Sequence, residues 1–410
     1  MKKTSNLRTE KHIIKSTNPF FEMLMNFCHR SKNLYNHANY LIRQGFISNG
    51  KWIRYAELDK ILKADTEYND YAEMPTAQSA QQILRLIDRN WKSFFQSSKD
   101  WSKHKEKYLG KPKMPKYLKK DSKYLLILTN QNCKIREDKI SFPKVFHGFS
   151  IQPKFLRREN YKSFQQVRII PHKDKLVMEL VYEIVFCEEK KDNNRYIGID
   201  IGINNLVTVA NNVGDTAFII NGRALKSMNQ FYNKQISYYR GICKRMNHKD
   251  YSKRMNRLTK KRNAKIDDYL HKASRKIINY CIDNQVNTII IGKNKEWKQE
   301  SNLGRKNNQN FVQIPFARFL EMIQYKASEC GIAVILTEES YTSGTSFIDN
   351  ELPAKGNYDK SRRIKRGLFK SNHGMLINAD LNGAYQIMKK VVPMKWDRGC
   401  ALHPFVVNIA

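Results

Sequence analysis

The alternation of apolar and polar residues changes period several times along the chain, and each change marks an element. Residues 1–15 alternate charged and apolar side chains up to His12-Ile13-Ile14-Lys15, the two-residue period of a strand. From about Asn18 to Ser97 the spacing shifts to three and four. Phe20, Leu24, Phe27, Leu34, Tyr35, Ala38 and Leu41 form one stripe, and Ala80, Ile83, Leu84, Ile87, Trp91 and Phe94 form another. Such stripes are the buried faces of helices, so these aromatics are expected in a core. Two prolines in residues 102–120 end any helix there. The stretch 122–187 then carries short runs, YLLIL, KISF, QQVRII and KLVMELVYEIVF, that read as strands. Short strands in succession suggest a small barrel, completed by the N-terminal strand.

A polar linker, Glu188-Glu189-Lys190-Lys191-Asp192-Asn193-Asn194, leads into an α/β pattern. Strands are expected at Tyr196 to Asp200, Leu206 to Ala210, Thr288 to Ile291 and Ile332 to Leu336. Helices are expected over 223–276, from Ile314 to Cys330, and from Asp380 to Val391. The expected fold class is multidomain α+β: a helical bundle and a small β-barrel, followed by an α/β domain. At 410 residues the chain has room for two to four compact units.

Composition narrows the partners. Lys and Arg number 74 against 38 Asp and Glu, a formal net charge of +36. Self-repulsion on that scale calls for a polyanion, and nucleic acid is the natural one. An anionic membrane is disfavoured, because no apolar run approaches the ~18 residues of a span and no basic amphipathic segment stands apart. The seven cysteines are dispersed without a CxxC pair, the usage of reduced intracellular thiols rather than of a zinc ribbon. No apolar leader follows the N-terminal lysines, and a cytoplasmic, nucleoid-associated bacterial protein is expected.

The charge is unevenly spread. Residues 102–120 hold eight lysines and one glutamate, with Tyr108 and Tyr117 interleaved. Lys103, Lys105, Lys111, Lys113, Lys116, Lys119 and Lys120 could neutralise phosphates while Tyr117 stacks on a base; a merely solvated charge run is the alternative. Residues 223–276 carry 17 Lys and Arg against three Asp, with Arg254, Arg257, Lys261 and Arg262 as candidate contacts. Residues 343–378 add Arg362, Arg363, Lys365, Arg366 and Lys370 on a loop that could equally be solvated.

Two carboxylates could carry chemistry. Asp200 ends the apolar strand YIGIDIGINN between Gly198 and Gly202; burial there requires either hydrogen-bond partners or a metal, and the residues alone leave both open. Asp380, in NADLNGA, opens a helix and could simply cap it.

Taken together, GIDIGINNLVTV, FVQIPFARFLEMIQYKASECGIAVILTEESYTS and INADLNGAYQIMKK resemble the RuvC motifs of the transposon-encoded TnpB (OrfB) family, related to type V CRISPR effectors. The N-terminal helical part and GKPKMPKYLKK resemble the recognition and wedge regions of that family. The resemblance implies a wedge-type β-barrel from 1–15 and 98–190, and a helical recognition domain from 16–97. It further implies an RNase H-like RuvC nuclease domain from 195–400, with inserts at 223–276 and 343–378. It implies a transposon-end guide RNA, a double-stranded DNA target beside a short flanking motif, and two Mg²⁺ ions held by Asp200, Asp380 and a glutamate.

This chain departs from the pattern where that glutamate belongs: the strand reads Ile289-Ile290-Ile291-Gly292. Glu338 and Glu339 follow the next strand, and either could supply the missing carboxylate if that strand lay beside the Asp200 strand. Strand alternation allows only one of the two, Glu339 being the better placed. Glu296 and Glu300 are weaker candidates. The zinc-binding cysteines of many relatives are missing between Thr342 and Asp380, so no zinc is expected. The expected activity is RNA-guided DNA cleavage, with a nuclease-dead guided repressor as the alternative. A strand-transfer transposase fits less well, since no catalytic tyrosine or DDE-type triad is visible.

Overall fold

The computed structural model describes residues 6–172, 174–247, 251–293, 312–395, 397 and 399–409. The chain forms two compact units that divide after Val185.

In the first unit, β1 (Leu7–Lys15) precedes α1 (Phe21–Asn49), α2 (Tyr55–Ala64) and α3 (Ala77–Lys103). α1 buries Phe21, Leu24, Phe27, Leu34, Tyr35, Ala38 and Ile42. Ile42 takes the buried place expected of Leu41, because the 3.6-residue turn drifts over so long a helix. Gly50 ends α1 in the left-handed region, at φ 66°. α3 starts with a capping box: Ser79 N–H donates to Thr76 Oγ1, and Thr76 N–H donates to Ser79 Oγ. Its fully buried Trp91 donates Nε1–H to Asn39 Oδ1 at 3.0 Å, which satisfies the indole inside the core.

The strands that follow are β2 (Leu126–Thr129), β3 (Lys134–Arg136), β4 (Lys139–Ser141), β5 (Ser150–Ile151), β6 (Tyr161–Pro171) and β7 (Lys175–Ile184). β1 pairs along β7, giving an antiparallel sheet in the order β1-β7-β6-β2, while β3, β4 and β5 form a second sheet. The strands therefore do not close by hydrogen bonding into the expected barrel. They divide between sheets of four and three strands, too few to close when even a five-stranded barrel stays partly open.

The second unit is built on a six-stranded mixed sheet. Its strands are β8 (Tyr196–Ile201), β9 (Asn205–Asn211), β10 (Phe218–Asn221), β11 (Thr288–Gly292), β12 (Ala333–Thr337) and β15 (Phe405–Val407), in the order β12-β11-β8-β9-β10-β15. A short hairpin of β13 (Leu368–Lys370) and β14 (Leu376–Asn378) lies outside it. The helices are α4 (Arg223–Asn247), α5 (Lys253–Asp283), α6 (Phe316–Glu329) and α7 (Ala379–Lys389). The expected helical stretch 223–276 is thus two helices, the second running to Asp283.

Alternation along β8 sorts its side chains. Ile197, Ile199 and Ile201 join the core made with Leu270, Ile277, Phe319 and Ile323 of α5 and α6. The opposite face carries Tyr196, Gly198 and Asp200. There α7 packs so closely that a β-carbon at Gly198 would collide with Met388 and the Ala384 carbonyl. Phe347 stacks on Tyr385 of α7 with ring centroids 4.4 Å apart, extending this second core. No described helix is long and apolar enough to cross a membrane.

Candidate active site

One pocket of the second unit is lined by Asp200, Glu339 and Asp380 together with Arg223, Arg363 and Arg366. Asp200 reaches it from β8, beside Thr208 on the antiparallel β9. The pocket exists because α7 presents glycine there: a β-carbon at Gly383 would sit 3.1 Å from Asp200 Oδ2.

Glu339 arrives by a different route from the one expected. β12 does not lie beside β8; β11 runs between them, parallel to both. The glutamate instead crosses over β11 at its last residue. Gly292 pairs with Thr337, and a β-carbon at Gly292 would come within 2.6 Å of Glu339 Cγ, Glu339 Oε1 and Ile387 Cδ1. The missing side chain on one strand is thus the space that the glutamate from the next segment fills. The turn after Glu339 holds it: Thr342 donates both N–H and Oγ1–H to the Glu339 carbonyl, at 3.2 and 2.8 Å. Tyr341 takes φ 67°, unusual for a ring-bearing residue and a mark of a tightly determined turn. Glu338 is exposed and does not line the pocket. Glu296 and Glu300 lie outside the described residues.

Asp380 is not the cap of its helix. Asn378 is, accepting from the N–H groups of Asp380 and Leu381. That leaves the Asp380 carboxylate free of capping duty. It accepts from Asn205 Nδ2 at 2.7 Å and from Arg363 Nη2 at 2.9 Å.

The electrostatics are those of carboxylates taken out of water. Burial first, then the like charges of Glu339 and Asp380, push the Asp200 carboxyl up to about 8; Arg363 and the Ile201 N–H act the other way. Burial pushes Glu339 up to about 7, against the pull of Lys390. Such a set of hard oxygen donors suits a divalent cation in its chemistry. Its present arrangement is a clamped one: among the described residues no three His, Cys, Asp or Glu side chains are gathered closely enough to hold a metal, and Asp380 is engaged by Arg363 and Asn205.

A stability prediction follows. The folded Asp200 carboxyl keeps a proton that the unfolded chain releases above about pH 4, so metal-free protein loses stability as pH rises from there towards 8. Asp200→Asn should therefore melt higher than wild type in EDTA at pH 7.5, by roughly 2 kcal/mol, with a gap that closes near pH 4. Equal melting temperatures across that range would show that the carboxylates are not in conflict.

The basic candidates fall into two groups. Residues 111–120 are laid along α1 by their backbone: Asn36 exchanges hydrogen bonds with Leu118, while Asn39 Nδ2 and Arg43 Nη1 both donate to the Pro115 carbonyl. With the backbone so held, Lys111, Lys113, Lys116, Lys119 and Lys120 point to solvent, and Arg43 stands 5.2 Å over the exposed Tyr117 ring. Lys103, Lys105, Arg254, Arg257, Lys261, Arg363 and Arg366 are also exposed. Arg262 and Arg362 are half-buried and engaged within the protein, Arg262 with Asn229 and the Gln313 carbonyl, Arg362 with Glu351. Asn205 and Arg223 also line the pocket. Asn205 has a weak signal in its place just past the Asp200 motif; Arg223 has none, since only the fold brings the start of α4 to the pocket.

The two segments that build this pocket are also those that match known families. Residues 172–298 match the OrfB_IS605 family, described as a probable transposase, and residues 316–387 match the Cas12f1-like TNB domain. TnpB-like protein ORF457 of Acidianus two-tailed virus is 24% identical over 395 residues, covering 88% of this chain and 82% of that protein. Among solved structures, the mini-RNA-guided endonuclease CRISPR-Cas_phi3 aligns over 97% of this chain and 93% of its own at 11% identity, with a TM-score of 0.48. Cas12f1 in its sgRNA and target DNA complex aligns over 93% and 98% at 16% identity, with a TM-score of 0.36. The first matched segment is similar to transposon-associated OrfB proteins and the second to Cas12f1-like proteins. Over most of its length the chain is similar to a TnpB-like protein.

Proposed function

We propose that the protein is an RNA-guided DNA endonuclease of the RuvC type, with an RNase H-like nuclease domain over 195–400. The helices of 16–97 and the strands of 1–15 and 98–190 serve as its recognition and wedge regions. What carries this reading is the fit of Glu339 into the space over Gly292, which brings a third carboxylate to Asp200 and Asp380 despite the altered strand. A protein that only binds has no use for three carboxylates lining one pocket.

In this reading Asp200, Glu339 and Asp380 would hold two Mg²⁺ ions, which when bound supply an activated water and neutralise the leaving oxygen. Arg223, Arg363 and Arg366 hold the phosphates of the strand in the pocket, as forked donors suited to that geometry. Asn205 orients the Asp380 carboxylate. Arg363 must exchange Asp380 for phosphate, which ties opening of the site to arrival of DNA.

The related structures are named as guided by RNA, and the charge of +36 suits a chain that carries both a guide RNA and a displaced DNA strand. The outward lysines of 111–120 serve as phosphate contacts and Tyr117 as a stacking surface. Binding should weaken steeply with salt, and each of Lys113, Lys116 and Lys119 changed to Ala should lower the logarithmic salt slope by about 0.7–0.9. An unchanged slope in the triple variant would detach this strip from nucleic acid.

The test of the reading is purification with co-expressed transposon-end RNA, followed by incubation with targets carrying a randomised flanking sequence. Mg²⁺-dependent cuts next to one flanking motif are expected. Guided binding without cuts would identify a nuclease-dead repressor instead.

A further inference from the structure

The loop between Thr345 and Asn378 contains no cysteine, and one acidic side chain fastens much of it. Glu351 Oε2 accepts from Ser346 N–H at 2.7 Å, Oε1 accepts from Asn372 Nδ2 at 3.1 Å, and both oxygens lie 2.7 Å from Arg362 Nη1. Its carbonyl accepts from Gln386 of α7, at 3.3 Å. The pair is well shielded, with Glu351 and Arg362 side chains only 15% and 17% exposed. An ion pair that sheltered holds its geometry far better than a surface pair.

Arg362 is also fixed by its backbone, its carbonyl accepting from Lys370 N–H at 2.9 Å. The next residue, Arg363, departs the other way and reaches Asp380 in the pocket, with its own side chain 40% exposed. Two adjacent arginines thus have opposite tasks: one is anchored inside the loop, the other enters the site.

We propose that Glu351 is a positioning residue for Arg363, acting through Arg362. Arg362 is then an anchor and not a phosphate contact. The inference rests on the pocket being the cutting site. A long side chain such as arginine gives up considerable rotamer freedom when held in one place, and a fixed base shortens the reach over which it wanders. Loss of the anchor should let Arg363 drift, and a misplacement of ~1 Å near reacting atoms costs up to about 100-fold in rate.

The experiment uses the full chain with its co-purified RNA and compares Glu351→Gln, Arg363→Ala and the double variant. Single-turnover cutting and equilibrium DNA binding are measured for each, with hydrogen exchange over residues 359–370. Glu351→Gln keeps the size of the side chain and removes its charge, and its melting temperature is compared with that of wild type so that rates are read on folded protein. It should slow cutting by about 10- to 100-fold with binding unchanged, and should add nothing in the Arg363→Ala background. Cutting at the wild-type rate, or a loss that adds fully to that of Arg363→Ala, overturns the proposal. If wild type itself does not cut, the nuclease reading fails separately. Faster exchange over 359–370 in Glu351→Gln would then still support the positioning role, and unchanged exchange would overturn it.

Discussion

Asp200→Ala is expected to abolish DNA cutting while leaving RNA-guided DNA binding intact. The aspartate touches the pocket from an inner strand of the sheet, where burial first and then the charges of Glu339 and Asp380 raise its carboxyl to about 8. A cation held by such a cluster is worth several kcal/mol of transition-state stabilisation. At 1.36 kcal/mol per tenfold, even about 4 kcal/mol is on the order of a thousandfold in rate. Binding is carried by phosphate contacts spread over many basic residues and should not depend on one carboxylate. The measurement is single-turnover cleavage beside filter binding with the same guide and target. Cutting that survives Asp200→Ala within tenfold would place the chemistry elsewhere. Glu338→Ala is the matched control: its exposed side chain lies outside the pocket, so cutting should persist.

Much of the second unit could be read from the chain because its signals are local. The strand at 196–201, its glycine neighbours and the helix from 379 each announce themselves within ten residues. What could not be read depends on contacts across the sheet. Strand order is one case. β12 was expected beside β8 because the glutamate had to reach Asp200, but β11 intervenes, and the reach is made by a side chain passing over a glycine. Asp380 is another: its position at a helix start favours a cap, and only Asn378, two residues earlier, shows by taking that task that Asp380 does not. In the first unit the runs from 122 to 187 had the period of strands, but period does not tell how strands divide among sheets, and the expected barrel became two open sheets. The lysine strip shows the same limit. Its charge was plain, whereas the Asn36, Asn39 and Arg43 side chains that turn its backbone inward and its lysines outward lie on a helix some 70 to 80 residues earlier.

The sharpest test of the displaced glutamate is to move it back. Glu339→Ala alone should lose cutting on the same scale as Asp200→Ala, since it removes one member of the cluster. Gly292→Ala should do damage by another path. The new methyl would lie 2.6 Å from Glu339 Cγ and Oε1, forcing the carboxylate aside at a cost of roughly 1–3 kcal/mol in stability. Cutting should fall with it by up to about 100-fold, because the misplaced group no longer faces Asp200. Gly292→Glu combined with Glu339→Ala vacates the space and then refills it from β11, the strand next to Asp200. Next to the new β-carbon Ile387 Cδ1 then remains, the far end of a side chain that has to yield. The double variant should therefore recover cutting to well above the level of Glu339→Ala, although each single change is harmful. Refilling the vacated space would by itself restore only packing, so melting temperature is read beside cutting to separate the carboxylate from the fit. A double variant as inactive as Glu339→Ala would mean that the two positions do not serve one carboxylate site.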